Sequence, residues 1–182
     1  MGEYKPKEYY DEIYAVSEKY KCSYTDSPYY DLWLRCLGFI PNQINILEVG
    51  CGTGQFAEML DFNRTINYKG FDFSEQAIAT CHCPDCFVGD ATDGTTYKCM
   101  SYELIICMEV LEHLADDVSV IRLWPKGVEV LITVPCFDDP SHVRWFNSEE
   151  EIRSRYEIEY DCLRIDTLEK FDRWYIIKGI TK

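Results

Sequence analysis

The chain has 182 residues, 47% of them hydrophobic and 27% charged, with a formal net charge of −14. That length fits about one domain with a real core, and the composition excludes wholesale disorder or a low-complexity chain. The acidic balance opposes unaided binding to nucleic acid, because phosphate neutralisation needs clustered Lys and Arg.

The opening residues, Met1 to Glu8, carry no apolar run of the secretory kind, and no stretch approaches the roughly 18 apolar residues of a membrane span. The ten cysteines are therefore expected as reduced thiols in a cytoplasmic protein. One domain is expected over 1–182, with a Tyr-rich helical preamble over 1–43 and an α/β core over 44–182. In the preamble, Tyr30, Trp33, Leu34 and Leu37 recur at helical spacing and predict a helix ending near Gly38. Pro41-Asn42 breaks the chain.

From Ile44 the pattern alternates apolar strands with helices. Ile44–Val49 reads as a first strand, and Phe56, Met59 and Leu60 as a helical stripe. Tyr68–Phe71 is a second strand, ending at Asp72; Ser74 caps a helix with Ala77 and Ile78. Phe87-Val88 is a brief third strand and Leu104–Met108 a fourth. Val118, Ile121 and Trp124 mark the next helix. Val128–Val134 is a fifth strand, stopped by Pro135. Ser148 with Glu151 forms a capping box for a helix to about Arg155. The runs Ile158–Leu163 and Trp174–Ile180 read as a closing antiparallel hairpin connected through Asp166-Thr167. Unbroken apolar strands alternating with helices predict a parallel sheet buried on both faces.

Three glycines at alternate positions, Gly50, Gly52 and Gly54, follow the first strand directly. They permit a tight turn into a helix and let a ligand touch bare backbone. Glu48 at the strand end repels pyrophosphate and suits a ligand with an ammonium group. The sixth-position glycine of the dinucleotide fingerprint is missing. Asp72, twenty residues beyond Gly52, stands where an acid accepts from ribose hydroxyls. Asp90-Ala91 ends the third strand, where an acid can accept from an adenine amine. Each acid alone is an ordinary loop residue. Together they describe a pocket for a nucleoside with an amino-acid tail at one sheet edge.

The chain resembles class I S-adenosylmethionine-dependent methyltransferases from about Tyr29 to Ile180. The likeness is carried by Glu48-Val49-Gly50-Cys51-Gly52-Thr53-Gly54, Gly70-Phe71-Asp72-Phe73-Ser74, Val88-Gly89-Asp90-Ala91, Met108-Glu109-Val110-Leu111-Glu112-His113-Leu114 and Trp124-Pro125-Lys126-Gly127-Val128. The resemblance implies a Rossmann-like seven-stranded, mostly parallel sheet with helices on both faces and an antiparallel final strand. It implies S-adenosylmethionine as cofactor, with Glu48 and Gly50 at its methionine part, Asp72 at the ribose, Asp90 and Ala91 at the adenine, and Phe73 and Met108 flanking the adenosine. Gly52 and Gly54 complete the cofactor set.

A small-molecule acceptor is expected, methylated on oxygen rather than nitrogen, in the manner of the ubiquinone-biosynthesis type. Cys107-Met108-Glu109-Val110 replaces the Asn- or Asp-Pro-Pro-aromatic motif of enzymes that methylate base amines. His113 and His142 are the candidate bases, acting without an obligatory metal; either could instead be structural. The Tyr-rich preamble could be an aromatic lid or simple packing. Two other readings stay open. Glu109, Glu112, His113 and His142 also match the metal-binding pattern of RNA 2′-O-methyltransferases, with Glu109, Glu112 and His113 on one helical face. A non-catalytic S-adenosylmethionine-binding subunit is the other. Finally, Cys81-His82-Cys83-Pro84-Asp85-Cys86 is not expected to bind zinc, since a structural site needs four ligands and only Cys22 or Cys99 suggests itself as a fourth.

Overall fold

Seven strands form one sheet in the order β3-β2-β1-β4-β5-β7-β6. They are β1 (Asn45–Val49), β2 (Asn67–Asp72), β3 (Cys86–Val88), β4 (Leu104–Met108), β5 (Glu129–Pro135), β6 (Leu163–Phe171) and β7 (Trp174–Thr181). The description comes from a computed structural model and covers residues 2–63, 67–99 and 101–182. Strands β1 to β5 run parallel, and β7 enters antiparallel between β5 and β6. The Rossmann-like expectation is met.

The helices are α1 (Lys7–Val16), α2 (Tyr30–Leu37), α3 (Gln55–Asn63), α4 (Glu75–Ala79), α5 (Asp117–Ile121) and α6 (Glu149–Arg153). Alternation along β4 divides the core. Leu104, Ile106 and Met108 join Trp33 and Leu37 of α2 and Phe56 of α3. Ile105 and Cys107 join Val118 and Ile121 of α5 and Ile152 of α6. Burial on both faces explains why these strands read as unbroken apolar runs. The predicted caps are present: the Ser74 and Ser148 hydroxyls accept from the N–H groups of Ala77 and Glu151.

Three expectations need correction. The segment 158–162 is not strand: α6 continues into π-helical turns over Ser154–Glu159, with Ile158 77% exposed, and β6 starts at Leu163. Asp166-Thr167 is not the hairpin connection but lies within β6, at a register irregularity between Ile165 and Thr167. The turn is Asp172-Arg173, with Asp172 at φ +51°. An edge strand needs charge on its open side, so Arg164, Asp166, Glu169 and Lys170 broke the apolar pattern. Trp124 lies beyond the end of α5 but is buried all the same.

Among the described residues, no helix is long and apolar enough to cross a membrane. No disulfide joins any of the ten cysteines among the described residues.

Candidate active site

The carboxyl ends of β1, β2 and β4 open onto two adjoining chambers. Gly50, Gly52 and Gly54 all have positive φ, +72°, +55° and +78°. At Gly50 a side chain is excluded twice over: the backbone is left-handed, and a Cβ would lie 2.3 Å from Val110 Cγ2. Asp72 braces this turn from the end of β2. Its carboxylate accepts from Gly52 N–H at 3.0 Å and from Ser74 N–H at 2.9 Å. Burial nevertheless raises its pKa to about 6.

The smaller chamber, about 580 Å³, is lined by Asp72, Phe73, Asp90, Ala91 and Val110 among others. Asp90 is exposed, and its Oδ1 is already held by the backbone N–H and hydroxyl of Thr92. The larger chamber, about 690 Å³, is lined by Glu48, Met108, His142, Arg173 and Trp174 together with an aromatic wall that includes Tyr29 and Phe137. Tyr10, Tyr14, Tyr20, Gly50, Glu109 and His113 line both. Met108, at the end of β4 between β1 and β5, lines the larger chamber, and Phe73, after β2, the smaller one.

The preamble roofs both chambers. From α1, Tyr10 packs on Phe73 (ring centroids 5.2 Å) and on His113 (5.6 Å). Asp11 accepts from the Ser74 hydroxyl at 2.5 Å, so α1 is tied to the N-terminus of α4. Tyr10 and Tyr14 carry no sequence signal for this beyond their abundance.

The stretch after β4 differs from its expectation. Glu109 is not on a helix; it has φ +55°, and only Leu111–His113 forms a 3₁₀ turn. The Glu109 carboxylate accepts from Trp174 Nε1 at 2.7 Å and from the Thr133 hydroxyl at 2.9 Å. The other three suspected groups form the tightest cluster, with Glu109 against one side of it. Ligand atoms of Glu112, His113 and His142 lie within 4.8 Å of one another. Glu112 is fully buried; its carboxyl lies against that of Glu109 and 3.9 Å from His113 Nε2, and no N–H or hydroxyl of the protein is placed to donate to either oxygen. Burial, and then the neighbouring Glu109 charge, hold its pKa well above the usual range. His113 Nδ1 contacts the Ser141 carbonyl at 2.9 Å and His142 Nδ1 the Phe137 carbonyl at 3.3 Å. A carbonyl only accepts, so both Nδ1 atoms carry the proton and both Nε2 atoms are left with lone pairs. Burial lowers both imidazole pKa values, His113 to about 4.

Glu48 is buried, accepts from the Tyr68 hydroxyl at 2.5 Å, and is pushed up to about 8 by desolvation. A raised carboxyl pKa stabilises the fold at low pH, and that contribution is lost as pH rises from 4.5 through 8. A lowered His pKa acts oppositely, losing stability as pH falls from 6.5 through 4. Between pH 6.5 and 8 the histidine effect is complete, and the raised carboxyls of Glu48 and Glu109 drive the decline. Ligand-free protein should therefore lose thermal stability across that window, by at most about 1.4 kcal/mol per pH unit and group. Thermal melts of wild type and Glu48→Gln test this; the variant should show a shallower decline, and an equal one would refute the assignment.

The methyltransferase-domain family matches residues 20–172. The chain belongs to that family. It is 28% identical over 95 residues to the ubiquinone biosynthesis O-methyltransferase of Neisseria meningitidis, a match covering 46% of this chain and 39% of that protein. The counterpart from Hydrogenovibrio crunogenus is 34% identical over 92 residues, covering 46% and 38%. The matches thus span less than half of these relatives. Among solved structures, a SAM-dependent methyltransferase from Archaeoglobus fulgidus superposes with a TM-score of 0.67 over 93% of this chain and 99% of that one, at 18% identity. The fold of this methyltransferase-family chain is thus that of class I enzymes.

Proposed function

We propose that the chain transfers a methyl group from S-adenosylmethionine to an oxygen of a small, planar acceptor. The observation that carries this reading is the pair of chambers joined at Gly50 and His113. The adenosine fits the smaller one, with its ribose on Asp72, its adenine toward Asp90 and Ala91, and Phe73 against its face. The methionine part passes bare backbone at Gly50 toward Glu48, whose buried carboxyl becomes a counter-ion once an ammonium faces it. Gly52 and Gly54 keep the turn open, and Met108 lies toward the transferred methyl. The acceptor then occupies the larger, aromatic-walled chamber. The relatives named O-methyltransferases favour oxygen over nitrogen.

Methyl transfer displaces sulfur from an already activated carbon, so alignment is the main task, and a base is needed only for the acceptor's proton. His142 and His113 are uncharged at neutral pH, with Nε2 lone pairs free to take it. The wall formed by α1 excludes water from the sulfonium and lends it cation–π contact. This is the lid reading of the preamble, within a single catalytic domain.

A second reading has its own observation: the buried Glu112 carboxylate, with no donor placed on its oxygens, beside two imidazoles. Such a donor set fits a divalent cation, and both imidazoles have the carbonyl support that orients metal-binding histidines. Bound there, a cation would favour the deprotonated form of an acceptor hydroxyl. The strongly acidic chain still disfavours RNA as that acceptor.

The test is S-adenosylhomocysteine formation with a panel of phenols and catechols, and with RNA 3′ ends, each with and without chelator. Turnover of a phenolic acceptor is expected, and His142→Ala should lower kcat roughly 10²–10⁴-fold. Turnover that persists in chelator favours the unaided histidines; turnover lost in chelator and restored by manganese favours the cation. Product from RNA alone would overturn the small-acceptor reading, and no product from any acceptor would leave a binding subunit.

A further inference from the structure

We propose that Cys51, Cys81, Cys83 and Cys86 form a zinc site that ties the edge strand β3 to the glycine turn. This does not rest on the methyltransferase reading and uses none of the groups assigned to transfer.

The stretch Cys81-His82-Cys83-Pro84-Asp85-Cys86 lacks a fourth ligand when read alone. The fold supplies one, and it is neither Cys22 nor Cys99. Cys51, inside the glycine turn and thirty residues earlier in the chain than Cys81, comes to the same place. The Cys86 thiol sits against the thiols of Cys51, Cys81 and Cys83 in turn, but no three of the four sulfurs all lie within 4.8 Å of one another.

Two glycines make room for this. Gly70 of β2 pairs with Cys86 of β3, and a Cβ on Gly70 would lie 2.8 Å from Cys51 Cβ. A side chain at Gly70 would collide with the Tyr68 hydroxyl and with Cys51. Gly54 makes room on the other side. A Cβ there would lie 2.5 Å from Cys81 Sγ and 3.4 Å from Cys83 Cβ, so the cysteine loop lies directly on the turn.

Ordinary packing explains such a cluster poorly. Free cysteines that act as small hydrophobes are deeply buried, as Cys36 and Cys107 are here. Cys81, Cys83 and Cys86 are only half-buried, and His82, Pro84 and Asp85 are exposed. No large apolar residue stands between Ile78 and Phe87. Strand β3 pairs with one neighbour over three residues. A cross-link is what this connection lacks, and a four-thiolate zinc site supplies one without a hydrophobic core.

The chemistry is that of a closed structural site. Four thiols lose their protons to solvent, and four thiolates bind one zinc ion at about 2.3 Å, leaving no open position. No oxidant or reductant takes part. Binding requires the loop side chains to turn until all four sulfurs face one point. Glu48 lies nearby but adds little negative charge, since burial keeps it largely protonated near neutrality.

The experiment is metal analysis of full-length protein purified without added metal, joined to cobalt substitution. About one zinc per chain is expected, lost in Cys86→Ser and retained in Cys99→Ser. Cobalt-loaded wild type should show thiolate-to-cobalt charge-transfer absorption in the near ultraviolet. Glu112→Gln should leave that band unchanged, which separates this site from any cation held by Glu112, His113 and His142. Should Cys86→Ser fail to fold, the cobalt spectrum of wild type decides by itself. Zinc retained in a folded Cys86→Ser, cobalt bound without the thiolate band, a mass lower by two hydrogens from a disulfide among these cysteines, or four thiols alkylated as fast with zinc added as without it would each overturn the proposal.

Discussion

Asp72→Ala should cost the chain most of its affinity for S-adenosylmethionine and S-adenosylhomocysteine. Asp72 stands at the end of β2, buried, with one oxygen accepting from Gly52 N–H in the turn that follows β1 and the other from Ser74 N–H. In the proposed complex the same carboxylate accepts from the ribose hydroxyls. Hydrogen bonds to a charged group contribute roughly 1.5–3 kcal/mol, so the dissociation constant should rise about 10- to 100-fold. The glycine turn loses its brace in this variant, so part of the loss is preorganisation rather than contact. Asp72→Asn separates the two: it keeps the shape and one acceptor oxygen, and should lose less than alanine does. Asp90→Ala should lose less again, because Asp90 is exposed and already satisfied by Thr92. Calorimetry measures all three. Unchanged affinity in a folded Asp72→Ala protein would remove the residue from the site.

Asp117→Ala should have the largest effect on stability, about 3–5 kcal/mol, as expected when one partner of a buried ion pair is removed. Asp117 is fully buried at the start of α5. It accepts from Arg155 Nη2 at 2.6 Å and Nε at 3.1 Å, from the Tyr156 hydroxyl at 2.8 Å and from its neighbour's N–H, Val118, at 2.9 Å. Arg144 lies 3.5 Å away and spans to the carbonyls of Leu111, Leu114 and Ala115. The acid thus joins α5 and the π-helical turns to the 3₁₀ turn that carries Glu112 and His113. Chemical denaturation should report a lowered midpoint. Asp117→Asn should recover part of the loss, since it still accepts from Tyr156 but no longer offsets two guanidinium charges. A wild-type midpoint in Asp117→Ala would refute the role.

The distribution of what could be read early follows from range. Strands β1, β4 and β5 are buried on both faces, so each appears as an apolar run, and the resemblance that these runs and the acids at the strand ends carry implied seven strands, mostly parallel, with an antiparallel last one. The glycine turn was equally legible, because left-handed backbone at Gly50, Gly52 and Gly54 is a local requirement. Strand β6 escaped the pattern, since an edge strand is half solvent-facing and its charged residues read as loop. The hairpin turn at Asp172-Arg173 was misplaced for the same reason.

The sequence alone determined the fold class, the family resemblance and the positions of Glu48, Asp72 and Asp90 at successive strand ends, because strands and tight turns are decided by neighbours along the chain. It also named Glu109, Glu112, His113 and His142, but not the chamber wall of Tyr10, Tyr14, Arg173 and Trp174. Which of them meet was decided by the tertiary structure. Glu109 turned to Trp174 and Thr133 while Glu112, His113 and His142 converged, because a left-handed residue and a 3₁₀ turn replaced the helix that spacing suggested. Cys51 joined the cysteine loop because β1 and β3 flank β2 across Gly70. Contacts of this kind join residues tens of positions apart, and no local pattern encodes the distance between them.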